Sequence, residues 1–400
     1  MAIFLLIVGL IMFVGLVVVH EWGHFIMARR NGVEVEEFSI FFPPRLYSKK
    51  TKAGWNFSIG LLPLGGFVKM KGEHDTDTAK GSFGAASLAA KSKIMAAGVV
   101  MNLIAAFALF TILGWIGMPH LPLPNNQQQF TIASDTTYIS RAKTVVHADT
   151  VEKNSPAAHA GIKSDDELLA IGNQGKLEPI NTADELPRLT YKYAGQTVQI
   201  RFEHQSKTKQ KSITLNSPEA VAAAKKQGKP IGYLGVTAYE QQKGLTVSRS
   251  TWSAPIVAFG VMKQFTVLTF QGLGTALKGL GGTIAGAVTG NTQARQEAQT
   301  EASSQVSGPV GIFFVFKYGA ELGYKFILFV VAIISLTLAI MNILPIPALD
   351  GGRLWITLFS RLVVKRPLSP EREEMVNASG FAVLMALIIL ITVVDVKRFF

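Results

Sequence analysis

Four stretches of this chain run for roughly the length of a bilayer without one charged side chain: Ala2–Val19, Ile94–Met118, Phe326–Leu349 and Met375–Val394. About 20 apolar residues are needed to cross the hydrocarbon core as a helix. A chain carrying four such runs has few fates other than a polytopic α-helical membrane protein. The first run has no basic residues before it and no small-residue cleavage site, and it leads straight into His20-Glu21-Trp22-Gly23-His24-Phe25, so it reads as a retained helix. Ile256–Gly290 is apolar but rich in glycine and interrupted by Lys263 and Lys278, which predicts an amphipathic or interfacial element.

The charges set an orientation. Residues 29–93, between spans one and two, carry eleven Lys and Arg, and the connection between spans three and four adds Arg353, Arg361, Lys365, Arg366 and Arg372. Short basic loops stay in the cytoplasm, so the insert from about 119 to 324 and both termini are expected on the other side. This placement also explains the net charge of +12 without nucleic acid, for which no platform of interleaved aromatic and basic residues exists. The chain has no cysteine, which excludes thiolate metal sites and cysteine nucleophiles and leaves any metal to His and carboxylate ligands.

The pattern predicts 1–118 as a membrane region with spans one and two, 119–142 as a linker (Pro124–Gln129 is Gln/Asn-rich), and 143–240 as a small α+β domain. An interfacial connector over 241–324 and spans three and four over 325–400 follow. Within 143–240, Ser155-Pro156-Ala157-Ala158-His159-Ala160-Gly161-Ile162 reads as a capped short helix ending on Gly161, and Thr197–Phe202 alternates as a strand does. Their order resembles a PDZ domain of the bacterial type. The resemblance implies capture of a peptide or chain terminus at a sheet edge, with spacer or size filter as the plainer reading. Tyr233-Leu234-Gly235-Val236 is the candidate carboxylate loop.

His20-Glu21-x-x-His24 places two imidazoles on one helix face with a glutamate beside them, the pattern of a zinc site with a general base. Ionisable groups continuing an apolar run are costly and need a function. A third protein ligand must come from elsewhere. Asp350, adjoining the uncharged third run after Pro345 and Pro347, is a candidate, although Pro, Asp and Gly-Gly also punctuate ordinary helix ends.

Together, His20–His24 and Asn342-x-x-Pro345-x-x-x-Leu349-Asp350-Gly351 resemble the site-2 protease family of intramembrane zinc metalloproteases. The segments Gly60–Met70 and Ser307–Ile312 are similar to that family's membrane re-entrant β-loop and to an element before its third span. The likeness runs nearly end to end, with one PDZ-like domain as in bacterial single-PDZ forms. A departure is Ala97-Gly98-Val99-Val100-Met101-Asn102, where the family often has A-G-P-x-x-N. The resemblance implies that Zn2+ is held by His20, His24 and Asp350 and that Glu21 activates water as the catalytic base. Asn342 would bind substrate backbone or the oxyanion, and the β-loop would pair with an unwound substrate. It further implies cleavage of transmembrane proteins, such as anti-sigma factors or signal-peptide remnants, towards the cytoplasmic face of a bacterial plasma membrane. The competing readings are a catalytically silent PDZ-containing membrane adaptor and a zinc transporter. An adaptor would be expected to lack Glu21 or a ligand, and a transporter to spread His and Asp over several spans.

Overall fold

The computed structural model describes residues 1–121, 123–124, 127–140, 143–173, 175–204, 207–289, 291–293 and 308–399. Parts of the expected linker and connector, and Ser307, therefore lie outside the described residues. The chain divides into two compact units, Met1–Ile139 with Val247–Phe400, and Ser140–Thr246.

The first unit is built on helices. α1 (Ala2–Arg30), α2 (Leu88–Ile116), α6 (Ala254–Thr289), α7 (Pro309–Leu322), α8 (Tyr324–Ile343), α9 (Asp350–Phe359) and α10 (Pro370–Phe399) carry it. Five of these, α1, α2, α6, α8 and α10, hold stretches long and apolar enough to cross a membrane. The chain is thus a multi-pass membrane protein with an inserted sheet-containing region. Sequence patterning predicts four spans and an amphipathic or interfacial element at 256–290. That segment is a single 36-residue helix, long and apolar enough to count among the five, and glycine is better tolerated in helices of apolar surroundings than in water.

α1 and α8 run in the same direction and α2 runs against both. Gly9 of α1 lies against Ile327 of α8, whereas further along, His20 meets Asp350 just beyond the end of α8. Gly23 of α1 lies on Ala97 and Met101 of α2, and Ser335 of α8 donates to the Asn102 carbonyl of α2 at 2.8 Å. Glycine is required at the first crossing: a Cβ on Gly23 would stand 2.6 Å from the Ala97 carbonyl oxygen. α6 starts at the far end of α2, where Ala254 covers Gly114, and buries Val257, Ala258 and Val261 against Phe110 and Phe329. α7 is anchored at its N-terminus by the buried Asp395 of α10, whose carboxylate accepts from Gly308 N (2.9 Å) and Gly311 N (2.7 Å). That is where a helix leaves donors unsatisfied and favours negative charge.

Between α1 and α2 lie β1 (Val35–Lys50) and β2 (Asn56–Met70), each pairing twice. Phe38 faces both Val68 and Phe57, and Lys50 faces Asn56, so four segments form a sheet in the order 66–70, 35–40, 56–60, 45–50, in which the two outer pairs run antiparallel and the central pair, 35–40 beside 56–60, advances in the same direction. Sequence reading marked only 60–70 as β. Trp22 and Phe25 of α1 pack on Phe38 and Trp55 and fix the sheet to the helix. The segment after β2 is held by Asp75, which accepts from Lys91 Nζ of α2 and from Arg361 Nε (2.7 Å), in the π-helical turn Ser360–Val364 that follows α9.

The second unit holds an antiparallel sheet. Its main path is β8 (Val236–Lys243), β3 (Lys143–Val151), β4 (Glu167–Asn173), β6 (Thr197–His204) and β7 (Lys207–Thr214), and β5 (Lys176–Pro179) pairs with β4. Val146, Ile171, Ile200 and Phe202 form its core with Leu186 and Leu189 of α4 (Glu185–Lys192). Ser155 caps α3 (Pro156–Ala160) by accepting from Ala158 N, and Gly161 ends it at φ 81°, as its sequence predicts.

Candidate metal centre

His20, Glu21 and His24 lie in the last three turns of α1, where both imidazoles are buried. Asp350 is the first residue of α9 and comes to them across the break after α8. That break has a local cause. Pro345 and Pro347 cannot continue a helix, Ala348 turns through φ 76°, and Trp355 Nε1 donates to the freed Ile343 carbonyl at 3.0 Å. The two glycines after Asp350 let the chain close on itself: a Cβ on Gly351 or Gly352 would stand 2.3 or 2.2 Å from the carbonyl oxygens of Leu344 and Ile346.

The outcome is a triangle of potential ligand atoms. Asp350 Oδ2 is 2.9 Å from His20 Nε2 and 3.0 Å from His24 Nε2, and the two Nε2 atoms are 3.3 Å apart. Ligands about 2.0–2.1 Å from a tetrahedral zinc ion stand roughly 3.3 Å from one another, so the three groups fit such an ion with little adjustment. The donor set of two imidazoles and one carboxylate is one that zinc takes in catalytic sites. His24 Nδ1 donates to the Ile94 carbonyl at 2.8 Å, which leaves its Nε2 lone pair facing the triangle. His20 Nδ1 lies 3.2 Å from the side-chain amide of Asn102. Gly98 of α2 forms the floor, pressed against both rings.

The triangle opens into a cavity of about 390 Å³ that Glu21 and Asn342 also line. All five residues singled out from the sequence thus share one site, with Glu21 and Asn342 on its wall. Gly66 of the edge segment 66–70 lies against Glu21, its Cβ position 3.0 Å from Glu21 Cγ, which brings the sheet to the same cavity. The sequence reading missed Gly98, the Ile94 carbonyl, the side chain of Asn102 beside His20, and Arg353, which also lines the cavity. Gly98 and Asn102 had a signal, as fixed positions of a motif whose partner was not evident.

The sequence profile of Peptidase family M50 matches residues 8–387. The chain belongs to peptidase family M50. A relative from Clostridium perfringens is 30% identical over 395 residues, covering 98% of each chain. One from Clostridium acetobutylicum is 29% identical over 405 residues, covering 99% of this chain and 98% of its own. The zinc metalloprotease RasP of Oceanobacillus iheyensis is 25% identical over 477 residues, covering 98% of both. The resemblance to site-2 proteases, which runs nearly end to end, is thus a family membership.

Proposed function

We propose that His20, His24 and Asp350 hold the zinc ion of this protein and that Glu21 is its general base. The protein is an intramembrane zinc metallopeptidase acting on membrane proteins. The assignment of residues is carried by one observation: ligand atoms 330 positions apart in the chain meet within 3.0 Å, beside Glu21, in a cavity between helices. When bound there, zinc supplies Lewis acidity to a peptide carbonyl and lowers the pKa of water to about 7. Glu21 takes the proton of the attacking water and passes it to the leaving amide nitrogen. The Asn342 amide donates to the substrate backbone or to the oxyanion, a contact typically worth roughly 3 kcal/mol. A helical substrate shields its peptide bonds and must be extended before attack. Segment 66–70, whose outer edge pairs with no other strand among the described residues, offers the backbone groups to hold it extended.

Four crossings suit the packing better than five. α1 and α8 run in parallel, so an odd number of crossings separates them; α2 supplies one. A crossing by α6 would need a return, and the 14 residues of α7 reach only about 21 Å as a helix, short of the roughly 30 Å core. α6 is then an interfacial or obliquely seated helix. With the basic 29–93 loop cytoplasmic, both termini and the 140–246 unit are extracytoplasmic, and cleavage falls near the cytoplasmic face of a bacterial plasma membrane. The 140–246 unit is read as a PDZ-like domain that takes a peptide or chain end; its short capped helix and antiparallel sheet support this. Anti-sigma factors and signal-peptide remnants are substrates of the expected kind.

Metal content tests the residue assignment. Protein purified in detergent should hold one zinc ion per chain, Glu21→Gln should keep it, and His24→Ala and Asp350→Ala should lose it. Undiminished zinc in both ligand variants overturns the assignment.

A further inference from the structure

We propose that Asn102 is a positioning residue for the metal, holding His20 in the tautomer that presents Nε2 to zinc. The inference rests on His20 being a ligand. Asn102 sits in the middle of α2 and is 1% exposed, and its side-chain oxygen has no hydrogen-bond partner. Burying an amide with an unmet acceptor costs about 1–3 kcal/mol, so the position calls for a reason. The side chain's neighbour is His20 Nδ1, 3.2 Å from the amide nitrogen.

Two arrangements of this pair are chemically consistent. If the amide nitrogen donates to Nδ1, the imidazole proton is on Nε2, which then points at Asp350 Oδ2, 2.9 Å away. An imidazole in that state has no lone pair for a metal. If the amide is turned through 180°, Oδ1 faces His20 and accepts from Nδ1–H, which satisfies the orphaned oxygen and frees the Nε2 lone pair. The oxygen and nitrogen of an amide have nearly the same shape, so the exchange needs no repacking. Zinc binding selects the second arrangement. His24 has its own fixed acceptor in the Ile94 carbonyl. The two ligand imidazoles are therefore oriented from one helix, about two turns apart, by a backbone oxygen and a side-chain oxygen. The Ser335 hydroxyl, donating to the Asn102 backbone carbonyl at 2.8 Å, keeps this stretch of α2 in place against α8.

Groups that orient a ligand imidazole typically change metal affinity by about 10–100-fold when removed. The test is zinc affinity of the full-length protein in detergent, measured by competition with a chelator, for wild type, Asn102→Leu, Asn102→Asp and His20→Ala. Asn102→Leu removes the acceptor at similar volume and should weaken zinc binding by about 10–100-fold. Asn102→Asp keeps an oxygen for Nδ1–H and should restore affinity to within a few-fold of wild type. Should the leucine variant not fold, Asn102→Ala takes its place. A merely structural role for Asn102 would leave zinc affinity untouched in folded protein, or would weaken it equally with Asp and with Leu; either result overturns the proposal. Wild-type affinity in His20→Ala would instead remove the ligand assignment beneath it, and the proposal with it.

Discussion

Replacing Gly98 with alanine is the sharpest packing test of the metal centre. The added methyl would lie 2.4 Å from His24 Nε2, 2.5 Å from His20 Cε1 and 2.6 Å from His20 Nε2. Ordinary contacts between such atoms are about 3.5–4 Å, so roughly 1 Å of room is missing in the direction of both rings. Neither ring can swing away freely: His24 is tied to Ile94, and His20 lies between Asp350 and Asn102. Any shift also spoils the 2.9–3.3 Å spacing of the ligand atoms. Overpacking of this kind costs about 1–3 kcal/mol. Taken up by the rings, it would weaken zinc binding by about 5- to 140-fold at 1.4 kcal/mol per decade. Chelator competition on the purified protein reads this directly, and cleavage of a single-span substrate at limiting zinc should fall in parallel. Gly15→Ala on α1, where an added methyl meets nothing within 4 Å, is the control and should match wild type. A Gly98→Ala protein with wild-type zinc affinity would refute the close approach of α2 to the histidines.

Other consequences follow from the same packing. Asp75→Ala leaves Lys91, 2% exposed, without its partner and should destabilise the protein by about 3–5 kcal/mol, read as a lowered Tm in detergent; an unchanged Tm counts against the buried Asp75–Lys91 pair. Burial alone would raise the Asp75 carboxyl, but hydrogen bonds from Arg361 and Lys91 outweigh it and hold the group below its ordinary 3.8. Its stabilisation is therefore complete above pH 3.8 and is lost as pH falls through the lower folded value, and Asp75→Asn should abolish that part of the acid dependence. Because the chain has no cysteine, single cysteines report topology: Lys209→Cys should react with an impermeant maleimide in intact cells and Lys49→Cys only after the inner face is opened. The reverse pattern would invert the orientation.

Residues whose chemistry depends on short spacing were legible from the sequence. His20 and His24 announce themselves by lying one turn apart, and Asp350 by standing at the end of an uncharged run. Gly98 was not legible as part of the site, since a residue without a side chain carries no chemical signature and its role depends on a partner some 75 positions away. The Ile94 carbonyl is invisible for a similar reason. Asn102 could be seen as a motif position, but its acceptor role needs the geometry of His20. In the fold, the first half of the β-sheet was hidden because Pro43, Pro44 and the charged run to Lys50 mask its alternation. Lys263, Lys278 and the glycines interrupt the apolar run of α6, so its length as one helix was not legible. Apolar length, by contrast, located α1, α2, α8 and α10 directly.

Proteolysis of a model single-span substrate by detergent-purified protein, comparing wild type with Glu21→Gln before and after chelation and zinc readdition, tests the central claim most directly. The account predicts cleavage by wild type that is lost with the chelator and returns with zinc, and no cleavage by Glu21→Gln although it retains zinc. Wild type and Glu21→Gln holding zinc and cleaving equally, or both inert on several substrates, would contradict it and favour a silent adaptor in the second case.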